Sequence, residues 1–266
     1  VLLCVDVGNT QIVVGVYDQS VKAGKDSGGA SGGLMGHFRI ATRNDYSSDE
    51  MALLLSQMLE MRSLSASNGL DGAVVSSTNP AVGATVVEAI RRWFDLDPLV
   101  VSGDLDLGVE VRYERPGDVG PDRLADTVAF LDLYEPPGIV VDFGTATTFD
   151  AIGSDGAYLG GAIAPGVLVS VDALFSRAAA LSRIDMTAPT HAIGNSTVEA
   201  IRSGVLLGFA AMVDGMCARF EAEIGPSKVV GTGGLCSLIT PSSVRVKTHE
   251  PWLTLYGLRL VYEYTR

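Results

Sequence analysis

Three short stretches hold residues able to handle phosphate. In the first, Leu2 to Asp18 (LLCVDVGNTQIVVGVYD), an apolar run reaches Asp6, Gly8, Asn9 and Thr10 interrupt it, and alternation resumes at Ile12, Val14 and Val16. That spacing predicts a strand, a tight turn and a second strand. A carboxylate then stands where a buried strand emerges, beside small residues that leave backbone N–H groups open to an anion. The second stretch, GIVVDFGTATTFD from Gly138 to Asp150, repeats the arrangement with Asp142 and Gly144. One Asp-Gly turn between apolar runs is most often a plain hairpin. Two on matching strands point to a duplicated fold whose facing copies would clamp a polyphosphate. The third stretch, GPDRLADTVAFLDLY, opens at Gly120. Pro121 suits the first turn of a helix, so Asp122 and Arg123 fall at its N-terminus, where N–H groups and the dipole favour anions. By pattern alone Asp122 also reads as an ordinary helix-start carboxylate and Arg123 as a surface charge.

The elements that must position these residues follow from the rest of the chain. Its 266 residues leave room for two modest cores or one large one, and 47% hydrophobic content marks it as globular. No apolar run is read as long enough for a membrane span and no secretory signal opens the chain, so no membrane is expected and the location reads as cytoplasmic. A net charge of −12 opposes binding to nucleic acid. Cys4, Cys217 and Cys236 lack metal spacing and read as buried free thiols, and His37, His191 and His249 show no paired spacing. There is no G-x-x-x-x-G-K-[ST] sequence, and Lys22, Lys25, Lys228 and Lys247 all lie away from both Asp-Gly turns.

After the first hairpin, Ser20 to Gly36 is dense in Gly and Ser and is expected to be a mobile loop that buries little. His37–Thr42 reads as a strand. Ser47 or Ser48 caps a helix to about Arg62, Gly72–Ser76 is a buried strand, Thr78 or Asn79 caps a helix with Pro80 in its first turn, and Pro98–Val101 is a fifth strand. The second half repeats the opening with strands at Gly138–Asp142, Thr147–Ile152 and Ala157–Ile163. A helix begins near Val167, a long one runs from Gly194-Asn195-Ser196-Thr197 to about Glu223, Val229–Gly234 is a strand into a Gly turn, and the last helix spans about Trp252–Tyr264. Three strands, helix, strand, helix, strand, then much the same again, is the layout of a duplicated actin-like ATPase (ribonuclease H-like) fold. It predicts two mixed five-stranded sheets flanked by helices, with halves at residues 1–115 and 116–266.

The motifs VDVGNT (Val5–Thr10), GPDR (Gly120–Arg123), VDFGTATTFD (Val141–Asp150), GGAIAPG (Gly160–Gly166), NSTVEAIRSG (Asn195–Gly204), GTGG (Gly231–Gly234) and LTLYGLRLVYE (Leu253–Glu263) stand in an order that closely resembles type III pantothenate kinases. The resemblance runs nearly end to end. It implies ATP-dependent phosphorylation of the primary hydroxyl of pantothenate, the first step of coenzyme A synthesis, by a cytoplasmic homodimer. Carried over by position, Asp6, Val7, Gly8, Asn9, Thr10, Gln11, Ile12 and Val13 form the ATP phosphate loop and Thr145 contacts ATP. Tyr113, Gly120, Pro121, Asp122, Arg123 and Thr197 serve pantothenate, with Asp122 as catalytic base, and Asp142 holds a monovalent cation, potassium or ammonium. Pro121 in place of the usual Ala and the long Gly/Ser loop depart from the family pattern.

Phosphoryl transfer asks for positioning, charge neutralisation and an acceptor for the hydroxyl proton, and a carboxylate suits the last role. Asp122, beside Arg123, is expected to stay ionised. Since neither turn carries a lysine, the phosphates must be neutralised by ions, with magnesium at Asp6, and Arg123 suits the carboxylate of pantothenate. Two other readings stand beside this one: a kinase or phosphatase for another small hydroxyl compound, because the fold does not fix the substrate, and a non-catalytic nucleotide-binding regulator. Asp6, Asp122 and Asp142 together favour an enzyme.

Overall fold

The computed structural model describes residues 1–64, 69–177 and 184–266. The chain forms two compact units, one comprising Val1–Leu133 with Trp252–Arg266, the other Tyr134–Pro251.

In the first unit, β1 (Leu2–Val7) pairs antiparallel with β2 (Gln11–Tyr17), which pairs antiparallel with β3 (Leu34–Ala41). On its other side β1 pairs parallel with β4 (Gly72–Ser77), followed by β5 (Leu99–Val100), giving the order β3-β2-β1-β4-β5. Alternation sends Leu3, Val5, Val7, Ile12 and Val14 to one face, where they pack with Met51, Leu55 and Leu59 of α1 (Ser48–Glu60) and Val82, Val86 and Ile90 of α2 (Pro80–Phe94). α1 starts with a capping box, Ser47 and Glu50 each bonding the other's backbone N–H, and α2 starts at Asn79 with Pro80 first.

The opposite face carries α7 (Leu253–Thr265), with α3 (Pro121–Leu133) against it. Residues Leu255 to Tyr262 of α7 and Arg123 to Phe130 of α3 are buried without a polar side, as expected of helices enclosed by other structure. Gly257 faces the backbone of Ala125, and a Cβ there would collide with the Ala125 carbonyl. This close approach moves the break in the chain from the expected 115/116 to Leu133/Tyr134 and returns the last helix to the first unit. Helix-on-helix packing, invisible to a count of repeats, sets the boundary.

The Gly/Ser stretch also departs from expectation. Lys25–Ser27 and Gly29–Ser31 form 3-10 turns, Ala30 is fully buried, and its carbonyl accepts a hydrogen bond from Tyr17 Oη at 3.1 Å. Arg259 of α7, itself buried and bonded to Glu263 at 2.7 Å, donates to the carbonyls of Gly32 (2.9 Å) and Val21. Gly33 has φ of 72° and lies against the Arg259 guanidinium, so glycine here permits close packing rather than looseness.

The second unit repeats the topology. β6 (Gly138–Phe143), β7 (Ala146–Ile152) and β8 (Tyr158–Pro165) form the antiparallel part; β9 (Lys228–Thr232) and β10 (Thr248–His249) extend it in parallel, in the order β10-β9-β6-β7-β8. Phe143, Phe149 and Val229 pack with Val167 of α4 (Val167–Arg177), Leu206, Val213 and Cys217 of α5 (Thr197–Ile224), and Cys236 and Ile239 of α6 (Cys236–Ile239). β10 and α6 are too short to carry a periodic signal. Asp214 of α5 accepts from Ser243 Oγ at 2.6 Å and from Val244 and Arg245 N–H groups, fixing the segment before β10. Contrary to expectation, α5 is by length and composition apolar enough to cross a membrane, with a mean hydropathy of 1.4 over 18 residues. Its Leu206-Ala210-Val213-Cys217 stripe is buried in the core of this unit. All three cysteines are buried and free, and burial raises each thiol pKa.

Candidate active site

β1 is the central strand of the first sheet, so its C-terminal end is fixed from both sides. Asp6 lies opposite Val13 on β2 and Ser76 on β4. Ser76 is fully buried and its Oγ donates to Asp6 Oδ1 at 2.7 Å. The turn beyond is closed by Gly8 N–H donating to the Gln11 carbonyl at 3.0 Å. Thr42, just past β3, grips it twice: its Oγ1 donates to the Gly8 carbonyl at 2.7 Å and its N–H to the Thr10 carbonyl at 2.9 Å. Thr78 N–H donates to the Val7 carbonyl at 3.0 Å from the β4 side. Asn9, Thr10 and Gln11 are exposed at the tip, whereas the Val7 and Ile12 side chains belong to the core, leaving only their backbone for a ligand. A Cβ on Gly8 would stand 2.9 Å from the Gln11 carbonyl oxygen, so glycine is required for this closure.

α3 brings the second carboxylate. Gly120 accepts from Arg123 N–H at 3.1 Å and Leu124 N–H at 3.2 Å, starting the helix, and Arg123 N–H also donates to Asp122 Oδ1 at 2.9 Å. A side chain at 120 would run into the Asp122 carboxylate. Arg123 is buried rather than a surface charge. Tyr113 is 41% exposed, next to the Arg112–Glu110 ion pair.

Asp6 and Asp122 belong to the same unit and sense each other. Burial, together with the Asp122 charge, pushes the Asp6 carboxyl up to about 7, against the Ser76 hydrogen bond and the Arg39 charge, which pull it down. Asp122 is also raised, by burial, with the Arg123 N–H and charge opposing. Desolvation outweighs the Arg123 charge, and Asp122 is a stronger base than an exposed aspartate.

In the second unit Asp142 occupies the position of Asp6, opposite Thr148 on β7 and Thr232 on β9, with Gly144 N–H closing its turn on the Ala146 carbonyl at 3.0 Å. Gly233, with φ of 87°, passes so close to Asp142 Oδ1 that no side chain fits there. Thr145 is exposed at the turn tip, and Thr197, also exposed, is the first residue of α5, after the cap Ser196. The structure thus assembles Asp6, its turn and Asp122 on one unit, and Asp142, Thr145 and Thr197 on the other. Sequence reasoning missed Ser76, Thr42 and Arg39. Ser76 has a signal in retrospect, since a small polar residue lies opposite the carboxylate near the end of both β4 and β9, as Ser76 and Thr232.

Comparison with known proteins agrees with this geometry. The family profile described as type III pantothenate kinase matches residues 2–219. A type III pantothenate kinase of Streptomyces coelicolor is 41% identical over 270 residues, covering 98% of this chain and 97% of its own. That of Moorella thermoacetica is 42% identical over 263 residues, covering 98% of each. Among solved structures, a ROK family glucokinase from Streptomyces griseus in complex with glucose and AMPPNP superposes with a TM-score of 0.52 at 12% identity, covering 97% of both chains. The activator of the 2-hydroxyisocaproyl-CoA dehydratase from Clostridium difficile with bound ADPNP gives 0.56 at 11% identity, covering 99% of this chain and 94% of that one. At such identities these structures establish the fold, the duplicated actin-like one.

Proposed function

We propose a division of labour for this chain, which belongs to the type III pantothenate kinase family. The enzyme phosphorylates pantothenate with ATP, the step that opens coenzyme A synthesis. The observation that supports the assignment of residues is the presence, within one unit, of the Gly8–Gln11 turn and two desolvated carboxylates, Asp6 and Asp122, the charge of the second helping to raise the first.

Residues Asp6 to Val13 receive the ATP phosphates, through backbone for Val7 and Ile12, and Thr145 is read as a contact of ATP. Tyr113, Gly120, Pro121, Arg123 and Thr197 hold pantothenate, with Arg123 taking its carboxylate. Asp122 accepts the hydroxyl proton as that oxygen bonds to the γ-phosphorus and the bond to the bridging oxygen of ADP breaks. Its raised pKa suits this role, because the alcohol becomes acidic only as the new bond forms. Asp6, one oxygen committed to Ser76 and one left over, suits magnesium, which is commonly held by one or two carboxylates plus substrate phosphates. Magnesium supplies charge neutralisation at the phosphates. Asp142 stands between Thr148 and Thr232 beside the bare backbone of Gly233, an oxygen-rich set that fits potassium or ammonium.

The enzyme acts as a homodimer in the cytoplasm, without nucleic acid or membrane partners. The exposed α5 face of Gly204, Gly208, Ala211 and Gly215 supports self-association, and light scattering tests it. Substrate identity is tested by coupled ADP release with pantothenate and a panel of sugars. Release with pantothenate alone is expected, and release with a sugar in its place contradicts the reading.

A further inference from the structure

Arg39 lies on β3, the edge strand of the first sheet. Val13 pairs with Asp6 on one side and with Arg39 on the other, and Asp6 pairs with Ser76. Directly paired residues share a face, so Arg39, Val13, Asp6 and Ser76 form one row across four strands. The Arg39 guanidinium is held near the turn by neutral groups: Nη1 donates to Gln11 Oε1 at 3.1 Å, and its carbon lies 5.7 Å from the centre of the Trp252 ring. An amide oxygen and a ring face leave most of its five donors uncommitted. Among the described residues it makes no ion pair with a carboxylate, a state it shares with Arg43, Arg62 and Arg202 and not with Arg91, Arg92 or Arg259.

The duplicated sheet provides an internal control. Its equivalent row runs Ile163, Thr148, Asp142 and Thr232, so the position matching Arg39 holds an isoleucine that is 67% exposed. The fold therefore does not require a cation there.

We infer that Arg39 is a nucleotide-binding residue that pairs with polyphosphate oxygens at the Gly8–Gln11 turn, with Gln11 aiming the guanidinium. This rests on the reading of that turn as the phosphate site. A planar fork suits two phosphate oxygens at once, and it supplies the side-chain cation that the sequence of the turn itself lacks.

Binding of ATP, ADP and adenosine to wild type, Arg39→Gln, Arg39→Lys and Gly8→Ala by isothermal titration, with melting curves to confirm folding, tests the inference. A lost charge-assisted contact corresponds to roughly a 10- to 100-fold loss. Arg39→Gln is expected to lose that much for ATP, less for ADP and nothing for adenosine, with the KM for pantothenate unchanged, and Arg39→Lys recovers part of the loss. Unchanged ATP affinity in Arg39→Gln while Gly8→Ala loses it, or equal losses for ATP and adenosine, overturns the inference and leaves the phosphate turn standing. Unchanged ATP affinity in both Arg39→Gln and Gly8→Ala overturns the reading of the turn and the inference with it.

Discussion

Asp6 is held in a state that costs stability. The folded protein keeps a proton on this carboxyl up to about pH 7, while an unfolded aspartate releases it near 3.8. Between those values the native state binds more protons than the unfolded one, so stability falls as pH rises through the window, and the cost is complete above it. Asp6→Asn is therefore expected to stabilise the unliganded protein at pH 8, by on the order of 2 kcal/mol, and to leave it nearly unchanged at pH 4. Melting temperatures at the two pH values check this, and equal effects at both contradict it. The candidate residues that carry a distinctive neighbourhood in sequence, Asp6 beside Gly8 and Asp122 after Pro121, stand out without a structure. Ser76 and Arg39 do not. Their membership in the Asp6 row depends on the register of β1, β2, β3 and β4, and a shift of one residue would send either side chain to the other face.

At the level of elements, the hairpins and the capped helices were readable because each is set by local chemistry: alternation for β1, β2, β6 and β7, and Ser47, Asn79 and Pro80 for α1 and α2. The loop from Ser20 to Gly36 was not, because its order comes from Arg259, far along the chain, and from glycines whose lack of a Cβ lets backbone carbonyls reach that guanidinium. Replacing the loop by a tight turn uncovers Tyr17 and leaves the buried Arg259 without its carbonyl acceptors. Breaking a buried charge network of this kind costs about 3–5 kcal/mol. Urea denaturation of the shortened protein is expected to show that loss, and a midpoint equal to wild type would return the segment to a passive connection. The same packing ties α7 to α3, and α3 carries Asp122 at its start, so a Cβ at Gly257 should displace the proposed base. Gly257→Ala is expected to lower kcat more than it raises either KM, read by steady-state kinetics.

Over the whole molecule, the two sheets share one topology and place a carboxylate at the same point of their central strands, yet the surroundings differ. Asp6 has a serine and, across the sheet, an arginine; Asp142 has two threonines and a glycine backbone. From that asymmetry follows an expected ion dependence. Turnover should rise strongly with potassium or ammonium and much less with sodium at constant ionic strength, and Asp142→Ala should lose the response. Equal rates with and without potassium in desalted enzyme would leave Asp142 a structural role only. The central claim, that this chain transfers phosphate to pantothenate with Asp122 as the base, is tested most directly by phosphorus NMR of purified protein with ATP, magnesium and pantothenate, run beside Asp122→Asn. The account predicts a phosphomonoester of pantothenate from the wild type and a rate about 100- to 10,000-fold lower in the variant with nucleotide affinity retained. A phosphomonoester formed at an equal rate by both proteins, or none formed by the wild type, would contradict it.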